Sequence, residues 1–344
     1  HIVVVRFSAM GDVILIVPVL YSILKLNPKL NITFVSRPFF EPLFKFSKRL
    51  TFIGVDLDKK YSGPFGMKKL AKDLIDSNKF DAFIDLHDVL RTQILRTFLK
   101  MNGVKTIVFE KGRKEKKELV AGKFFKPLKH TTERYLDAFK TLNLKTDLLL
   151  EDNWLDLKLN NKLLDKLDLK KSDILVGIAP FAKHSSKEWN LTKIEKLIEK
   201  LNDHQDLKIL LFGGDEKEIK QLKKLSKKDK NCIVPSGKIS FKDELSLIGG
   251  LKVMLSMDSA NMHLATICKT PVVSIWGPTH HYAGFGPLNN EQNIVEISKE
   301  KLPCRPCSIY GKIDGKKAKK CAEQSMEMIT VSMVYEKILP FIKQ

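Results

Sequence analysis

Three short polar stretches, each placed after an apolar run and before a predicted helix, hold the residues best suited to chemistry. They are Ser8–Asp12, Gly177–Trp189 and Asp258–His263. The turn from a strand into a helix presents unpaired backbone N–H groups and the positive end of a dipole, which together bind phosphate. Two of these turns lie in one half of the chain, one with Lys187 nearby. The pattern therefore predicts a diphosphate site there, and a carboxylate, Asp12, at the corresponding turn of the other half.

The candidate residues have functional and simpler interpretations. Asp12 has the chemistry of a general base, which must reach the hydroxyl that it deprotonates, but aspartate is also a favoured helix N-cap. Lys187, two residues before Trp189, fits either a phosphate contact or a solvated lysine. A lone helical histidine is usually packed or solvated. His263, four residues after Ser259, follows a polar strand–helix turn, which favours a functional role.

Several common site motifs are absent from the sequence. Neither a Walker A sequence nor G-x-G-x-x-G occurs, which disfavours P-loop kinases and typical nicotinamide-cofactor dehydrogenases. Asp56 and Asp58 have the spacing that some metal-dependent glycosyltransferases use for manganese, although a solvated strand end is the favoured interpretation. No RNA-recognition, zinc-finger or helix-turn-helix pattern occurs, so no nucleic-acid partner is predicted.

Three cysteines are close together near the end of the chain. Cys304 and Cys307 form one C-x-x-C, and Cys321 follows after thirteen residues. Structural zinc usually takes four ligands, so a zinc site here needs a fourth from elsewhere, such as His280 or His281. Free thiols in a loop, or a fortuitous disulfide, are the favoured alternatives.

The composition predicts a folded, strongly basic protein. The 344 residues are 43% hydrophobic and carry a formal net charge of +20. This length and hydrophobic content allow buried cores in two domains. The charge favours a polyanionic partner, such as an anionic membrane surface or a phosphorylated glycolipid, over a basic surface without a partner. Lys111–Lys129 has eight Lys or Arg residues against two Glu and is expected to face solvent.

The apolar segments and the number of cysteines help to predict the cellular location of the protein. The longest apolar run, Val13–Leu24, is interrupted by Pro18 and Tyr21. Because a bilayer span needs roughly 20 residues, we expect a buried helix there. Arg6 and Asp12 break the apolar region that a signal peptide requires. An odd number of cysteines, five, favours a reducing compartment, and we expect a cytoplasmic protein.

Strand and helix patterns alternate twice along the chain, with the polar segment Leu157–Ser172 between the two series. Strands joined by helices form parallel sheets, and two such series imply two doubly wound α/β domains that bind ligands at the carboxyl ends of their strands. We predict domains at 1–165 and 166–344. The predicted strands are Ile2–Phe7, Asn31–Val35, Thr51–Val55, Phe80–Asp85, Thr106–Phe109, Ile174–Ile178, Lys208–Phe212, Cys232–Val234, Val253–Met257 and Val272–Trp276.

Four ordered motifs carry a family resemblance. They are Ser8, Gly11, Asp12 and Pro18 after the first strand, Ala179–Ala182 with Lys187–Trp189, Asp258–Ala265, and Thr270–Thr279. They resemble the S-x-x-G-D-x-x-x-x-x-P, N-P-G-A with K-x-W, D-[ST]-G-x-x-H-L-A and T-P-V-V-x-x-[FW]-G-P-T motifs of glycosyltransferase family 9, the ADP-heptose:lipopolysaccharide heptosyltransferase family. The resemblance covers nearly the whole chain, although Phe181 and Ala260 replace glycines.

The resemblance implies two Rossmann-like domains facing across a cleft, the GT-B type, with the terminal helix either staying in the second domain or returning to the first. It implies inverting transfer of a sugar, heptose in this family, from an ADP-linked donor to a lipopolysaccharide-core or related glycolipid, without a cofactor or catalytic metal. The alternatives are a family member that uses another sugar nucleotide and a catalytically idle sugar-nucleotide-binding homologue.

The resemblance also implies residue roles. Asp12 matches the proposed catalytic base, and Lys187 matches a lysine that contacts the donor phosphates. Either Asp215 or Glu218 is implied to hold the ribose hydroxyls. The other implied donor-binding residues are Ala182, Lys183, Asp258, Ser259, Ala260 and His263, and the implied acceptor-side residues are Ser8 and Gly11.

The first domain is expected to bind the acceptor. His87 and Arg91 follow the strand Phe80–Asp85 and are predicted to seat an acceptor phosphate or sugar, unless they only cap or pair locally. Asp12 and the basic stretch Lys111–Lys129 are expected in one domain. The predicted acceptor is therefore an anionic lipid-linked saccharide, which both features could contact. We therefore predict peripheral, salt-sensitive attachment to the inner face of the inner membrane.

Overall fold

The computed structural model describes residues 1–77 and 79–343, which divide into two units. The first unit comprises His1–Lys111 and Lys129–Asp156, and the second comprises Gly112–Leu128 and Leu157–Gln344. The division therefore falls after Asp156 and not after residue 165. Each unit is built around one parallel sheet with helical connections, as the two series of strand and helix patterns predict.

The first unit contains a five-stranded parallel sheet in the order β3-β2-β1-β4-β5. Its strands begin as apolar runs; β1 has the sequence Ile-Val-Val-Val and is buried throughout, as expected for a strand covered on both faces. The elements up to residue 140 are β1 (Ile2–Val5), α1 (Met10–Ile14), α2 (Ile16–Leu26), β2 (Ile32–Ser36), β3 (Leu50–Gly54), α3 (Gly63–Ser77), β4 (Ala82–Asp85), α4 (Leu90–Met101), β5 (Lys105–Val108), α5 (Arg113–Val120) and α6 (Thr131–Lys140), of which α5 belongs to the second unit.

Strand β1 is the point at which the strand order of the first sheet reverses. Val5 pairs with Val35 on one side and with Asp85 on the other. The chain segments that follow β1 and β4 therefore leave the sheet side by side. In doubly wound sheets the ligand site lies at such a switch point, outside the carboxyl ends of the strands.

The second unit contains a six-stranded parallel sheet in the order β11-β10-β9-β6-β7-β8. Its switch point lies between β6 and β9, where Ala179 pairs with Ser256. The elements are α7 (Asn161–Lys166), β6 (Ile174–Ala179), α8 (Leu191–Leu201), β7 (Leu207–Leu211), α9 (Glu216–Ser226), β8 (Cys232–Ile233), α10 (Phe241–Gly249), β9 (Val253–Met257), α11 (Ala260–Ile267), β10 (Val272–Trp276), β11 (Ile294–Glu296), α12 (Lys316–Met328) and α13 (Val331–Ile342).

Helix α8 shows how local sequence makes these elements. The Asn190 side chain accepts a hydrogen bond from Thr192 N at 2.8 Å and caps the helix N-terminus. The apolar residues recur at helical spacing and are buried against the sheet. They are Ile194, Leu197, Ile198 and Leu201.

The basic stretch is placed differently from the expectation that it lies in the first domain. Residues Gly112–Leu128 belong to the second unit, where Phe125 packs on His280 and Leu128 N donates to Tyr282 O at 2.9 Å. Lys116 is buried, with Nζ 4.4 Å from the centre of the Phe285 ring. The expected solvent-facing basic segment is thus a partly buried segment of the other unit.

The terminal helix also belongs to the second unit. Helix α13 packs against α8 and β9, and Val334 and Ile338 are fully buried. Val13–Leu24 falls in α1 and α2 and is largely buried, as expected. Among the described helices, none is both long and apolar enough to cross a membrane.

Candidate functional sites

Asp12 is held in place at the carboxyl end of β1. Its Oδ2 lies 2.8 Å from Arg6 Nη2 and 3.3 Å from the backbone N of Ala9. Across residues 1–77 and 79–343, no group donates a hydrogen bond to Oδ1, and the side chain is 27% exposed. One oxygen is therefore fixed by the protein while the other remains available to a substrate hydroxyl.

Arg6 is a buried cation that orients this carboxylate. It is 6% exposed, and its guanidinium also donates to Leu86 O at the end of β4. Its Cζ lies 5.7 Å from the ring centres of both Phe109 and Tyr135. Because a buried guanidinium stays charged, its contact with Oδ2 of Asp12 is charge-assisted and restricts rotation of the carboxylate.

His87 lies beside Ser8 at the same end of the sheet, with Nε2 3.3 Å from Ser8 Oγ. Burial, together with the positive charges of Arg6 and Lys111, lowers the pKa of His87 to about 3. The ring is therefore neutral near neutral pH. It is 8% exposed, and its buried Nδ1 has no hydrogen-bond partner within the described part of the chain. A neutral ring with an open nitrogen suits a contact with a sugar hydroxyl better than with phosphate.

Arg91 lies at the start of α4, four residues after His87. It is exposed in the first turn of α4, and its charge, after the hydrogen bond from Arg37, contributes to lowering the pKa of Asp58. Asp58 pairs with Arg37 at 2.9 Å, while Asp56 accepts from two backbone N–H groups of its own turn. These carboxylates thus hold a strand end together, which agrees with the favoured interpretation of their spacing.

Lys187 and Asp258 meet at the switch point of the second sheet. Lys187 follows β6 in a 3₁₀ turn, Asp258 follows β9, and Lys187 Nζ lies 3.3 Å from Asp258 Oδ2. Both residues are 8% exposed. Burying an unpaired ammonium is costly, so the pair with Asp258 holds Lys187 in position. The ammonium has three N–H donors, and those that Asp258 does not use stay available.

The N-terminus of α11 lies next to this pair in the chain. Ser259 is the N-cap residue, but its side chain makes no capping hydrogen bond and lies 3.1 Å from Ser256 Oγ. The first-turn N–H groups, beginning at Ala260, therefore have no side-chain cap and suit an anion. His263 is buried one turn further along α11.

Two other predicted donor residues, Ala182 and Lys183, lie in the same connection between β6 and α8. Lys183 lines a cavity of about 670 Å³ with Lys312 and Lys319, whereas Lys187 points to Asp258. The backbone N of Ala182 donates to Glu188 Oε1 at 3.2 Å. Lys183 thus lines this cavity, while the Lys187 ammonium is paired with Asp258.

The two ribose candidates form the N-terminal cap of α9. Asp215 Oδ1 accepts from Glu218 N at 2.8 Å, and Glu218 Oε2 accepts from Gly214 N at 2.6 Å. Both carboxylates therefore already accept from backbone N–H groups at the start of α9. Which of them contacts a ribose stays a prediction.

The sequence comparison decides the family. The profile of glycosyltransferase family 9 (heptosyltransferase) matches residues 67–313, which is more than half of the chain. The chain belongs to this family. The transferase carries its three polar turns after the carboxyl ends of β1, β6 and β9, as the alternation of strands and helices predicts.

Individual relatives and a solved structure agree with this assignment. The transferase is 28% identical to lipooligosaccharide heptosyltransferase 2 of Campylobacter jejuni over 54% of this chain and 58% of that protein. It is 24% identical to lipopolysaccharide heptosyltransferase 1 of Campylobacter coli over 87% of this chain and 90% of that protein. The structure of Escherichia coli ADP-heptose lps heptosyltransferase II superposes with a TM-score of 0.71 and 17% identity, covering 100% of this chain and 99% of that chain. The last match confirms the GT-B-type fold.

Sequence reasoning did not assign a site role to two residues beside Asp12 in the transferase. They are Arg6, which pairs with its carboxylate, and Tyr135, whose hydroxyl donates to Asp12 O at 3.3 Å. An arginine at the end of a buried strand is a usable signal for Arg6, since a buried cation needs a partner. Tyr135 lies more than a hundred residues away in α6 and has no such local signal.

Proposed function

We propose that this chain transfers a heptose from an ADP-linked donor to a lipopolysaccharide-core or related glycolipid acceptor, with inversion and without a catalytic metal. The observation that carries the proposal is the buried Lys187–Asp258 pair beside the uncapped N-terminus of α11. This arrangement supplies a cation and N–H groups suited to a diphosphate. The two Campylobacter relatives are heptosyltransferases of lipooligosaccharide and lipopolysaccharide, which supports the sugar and the acceptor class.

The proposed reaction uses one displacement. The acceptor oxygen attacks the anomeric carbon, the bond from that carbon to the diphosphate oxygen breaks, and the diphosphate leaves with the electron pair. Asp12 Oδ1 takes the acceptor proton, while Arg6 holds Oδ2. Lys187 and the N–H groups of α11 stabilise the charge that grows on the leaving group. Attack opposite the leaving group inverts the anomeric centre.

A solved relative supports the donor. One matched structure, with 17% sequence identity and a TM-score of 0.68, is the Escherichia coli heptosyltransferase WaaC with ADP. We infer that this chain likewise takes ADP on its second unit, with the diphosphate at Lys187 and the ribose at Asp215 or Glu218. The donor residues Lys183, Ala182 and His263 belong to the same proposal.

A ligand screen followed by a transfer assay tests the proposal. Thermal shift against ADP-, UDP- and GDP-sugars should rank an ADP-sugar first, because a ligand that binds only the folded state raises its stability. Transfer from ADP-heptose to a lipid-linked core saccharide should proceed equally with and without added Mg²⁺ or Mn²⁺. Preference for another base would overturn the donor, and a strict need for either ion would overturn the metal-free mechanism.

Asp12→Asn is expected to abolish most transfer and leave nucleotide affinity unchanged. The amide keeps the shape and can still accept from Arg6, but it takes no proton. A general base contributes about 10²–10⁴-fold to the rate, so kcat should fall by that factor. Asp58→Asn is the matched control, because Asp58 pairs with Arg37 at a strand end. A folded Asp12→Asn protein with near-normal turnover would remove Asp12 from the mechanism.

A sugar-nucleotide-binding homologue without transferase activity is the second candidate. It predicts the same ranking of ligands but no turnover and no effect of Asp12→Asn. The open Oδ1 of Asp12 beside a buried arginine favours the enzyme, since a binding protein has no use for an oriented base.

A further inference from the structure

Exposed apolar side chains collect at one edge of the first unit, where the parallel strands end. Phe39 follows β2, Phe65 lies in the first turn of α3 after β3, and Leu90 begins α4 after β4. They are 54%, 87% and 71% exposed. Single exposed apolar side chains are common on proteins, whereas several at one edge indicate a surface that binds something. Met101, 75% exposed, lies at the other end of α4 and therefore at the opposite edge.

Charged side chains link the turns that carry Phe39 and Leu90. Arg37 Nη1 lies 2.9 Å from Asp58 Oδ2, which joins the turn after β2 to the turn after β3. The pKa of Asp58 is lowered first by the hydrogen bond from Arg37 and then by the positive charges of Arg37 and Arg91. Phe39 is two residues from Arg37, and Leu90 directly precedes Arg91. The two apolar side chains therefore flank the Asp58 turn.

Phe65 is fixed at this edge by the packing of α3. A Cβ on Gly66 would overlap the backbone of Tyr61, so the first turn of the helix lies directly on the preceding loop. Lys68 and Lys69 follow Phe65 by three and four residues, which places them on the same helix face, and both are exposed. An exposed aromatic ring with lysines on its own helix face is typical of helices that lie in a membrane interface, where the lysine stems accompany the ring and the ammonium groups stay at the headgroups.

The edge is basic as well as apolar. Asp58 is paired with Arg37, and Asp56 accepts from two backbone N–H groups of its own turn. Exposed cations lie in or beside the same turns, namely Lys59, Lys68, Lys69 and Arg91. Such a surface is complementary to anionic lipid, which attracts the cations and accepts the apolar side chains. A second copy of this chain would bring the same positive charges and be repelled.

We propose that this edge binds an anionic bilayer by inserting Phe39, Phe65 and Leu90 into its interfacial layer. The inference rests on the lipid-linked acceptor of the proposed function. Asp12 follows β1 at the same edge of the sheet, so an acceptor whose lipid stays in the bilayer offers its saccharide on the side where the proposed base lies. This surface belongs to the first unit and is distinct from the basic segment 112–128.

Tryptophan fluorescence with brominated lipid tests the insertion directly. The native Trp154, Trp189 and Trp276 are at most 2% exposed, so a new surface tryptophan reports its own surroundings. Phosphatidylglycerol vesicles with bromine on their acyl chains should quench Phe65→Trp relative to the same vesicles without bromine, because bromine quenches only an indole that reaches the chains. Met101→Trp is the matched control and should not be quenched. No quenching of Phe65→Trp, or equal quenching of both variants, would overturn the proposal.

Substitution measures how much the apolar side chains contribute. Phe65→Ser combined with Leu90→Ser should lower partitioning into the same vesicles at least about tenfold, since two apolar side chains no longer leave water. Met101→Ser should bind as the wild type does. Unchanged vesicle binding by a double variant whose circular dichroism is native would contradict the insertion. Loss of self-association with vesicle binding retained would assign the edge to a second copy and also overturn the proposal.

Transfer assays separate this inference from the proposed function. The double variant should glycosylate an acyl-free core saccharide at the wild-type rate and be slower only on acceptor embedded in vesicles. Equal rates of the two proteins on the embedded acceptor would overturn the role of the edge. If the wild type transfers to neither acceptor, the proposed function fails, and the quenching of Phe65→Trp still decides whether the edge inserts.

Discussion

At the residue scale, charge pairing explains why two ionisable side chains of the proposed site stay in place. Arg6 holds one oxygen of Asp12, and Asp258 holds the ammonium of Lys187. Each pair is at least partly buried, where leaving one partner alone costs several kcal/mol. In both pairs the group assigned to the reaction keeps an unused acceptor or donor.

Lys187→Ala is expected to weaken ADP binding about 10–100-fold and adenosine binding little. A hydrogen bond to a charged group contributes about 1.5–3 kcal/mol, and the substitution also leaves the Asp258 charge facing the phosphates. Isothermal titration with both ligands measures the difference. Lys196→Ala, an exposed lysine on α8, is the control.

A double variant separates the two contributions. Adding Asp258→Asn to Lys187→Ala removes the uncompensated carboxylate, so ADP affinity should recover in part. Equal losses for ADP and adenosine in the single variant would count against a phosphate contact by Lys187.

At the element scale, the loops between strands and helices are rigid because core side chains anchor them. Trp189 follows the Lys187 turn and is 1% exposed. Its Nε1 donates to Ile329 O at 3.1 Å, and its backbone N contacts Met257 Sδ at the end of β9. The indole therefore ties the β6–α8 connection to the segment between α12 and α13, and the backbone N–H ties it to the strand that precedes Asp258.

Trp189→Ala is expected to lower the free energy of unfolding by about 3–5 kcal/mol, the usual cost of removing a buried tryptophan. It should also weaken ADP binding, because the Lys187 turn loses its anchor. Urea unfolding followed by circular dichroism measures the first effect. Phe65→Ala on α3, where the ring is 87% exposed, should change stability by no more than about 0.5 kcal/mol. A similar loss in both variants would show that Trp189 has no special role.

At the scale of the whole molecule, part of the net charge of +20 is on side chains that make contacts within the protein. In the basic segment, Lys116 is buried against Phe285, and Lys111 and Lys129 pair with acidic residues. Four exposed lysines lie between Lys111 and Lys129, namely Lys114, Lys117, Lys123 and Lys126, of which Lys123 pairs with Glu118 at 3.4 Å. We propose that these four contribute to attachment at anionic membranes, now as part of the second unit.

Attachment to anionic vesicles should be salt-sensitive. Each lysine near such a surface contributes on the order of 1 kcal/mol, and salt screens it over about 10 Å at 0.1 M. Changing the four exposed lysines to glutamate should therefore abolish co-sedimentation at low salt. The control reverses four exposed lysines of α8 and α9 and their ends, which are Lys196, Lys220, Lys224 and Lys227. Binding that survives the first change, or is lost equally in the control, would place the attachment surface elsewhere.

The sequence by itself determined the local elements and the family. Each predicted strand overlaps an observed one, because buried parallel strands have local hydrophobic patterns. The turns after β1, β6 and β9 were also readable, since polar residues at the end of an apolar run stand out. The short edge strand β11 was missed because its three residues carry too little pattern.

Only the tertiary structure decided which of these pieces meet. The pairing of Arg6 with Asp12, the convergence of Cys321 on the C-x-x-C turn and the placement of Gly112–Leu128 in the second unit all depend on contacts between distant parts of the chain. The basic segment joins the second unit because Phe125 and Lys116 find aromatic partners there, near residue 280. Local periodicity specifies the face of an element that is buried, whereas long-range packing selects the surface that covers it.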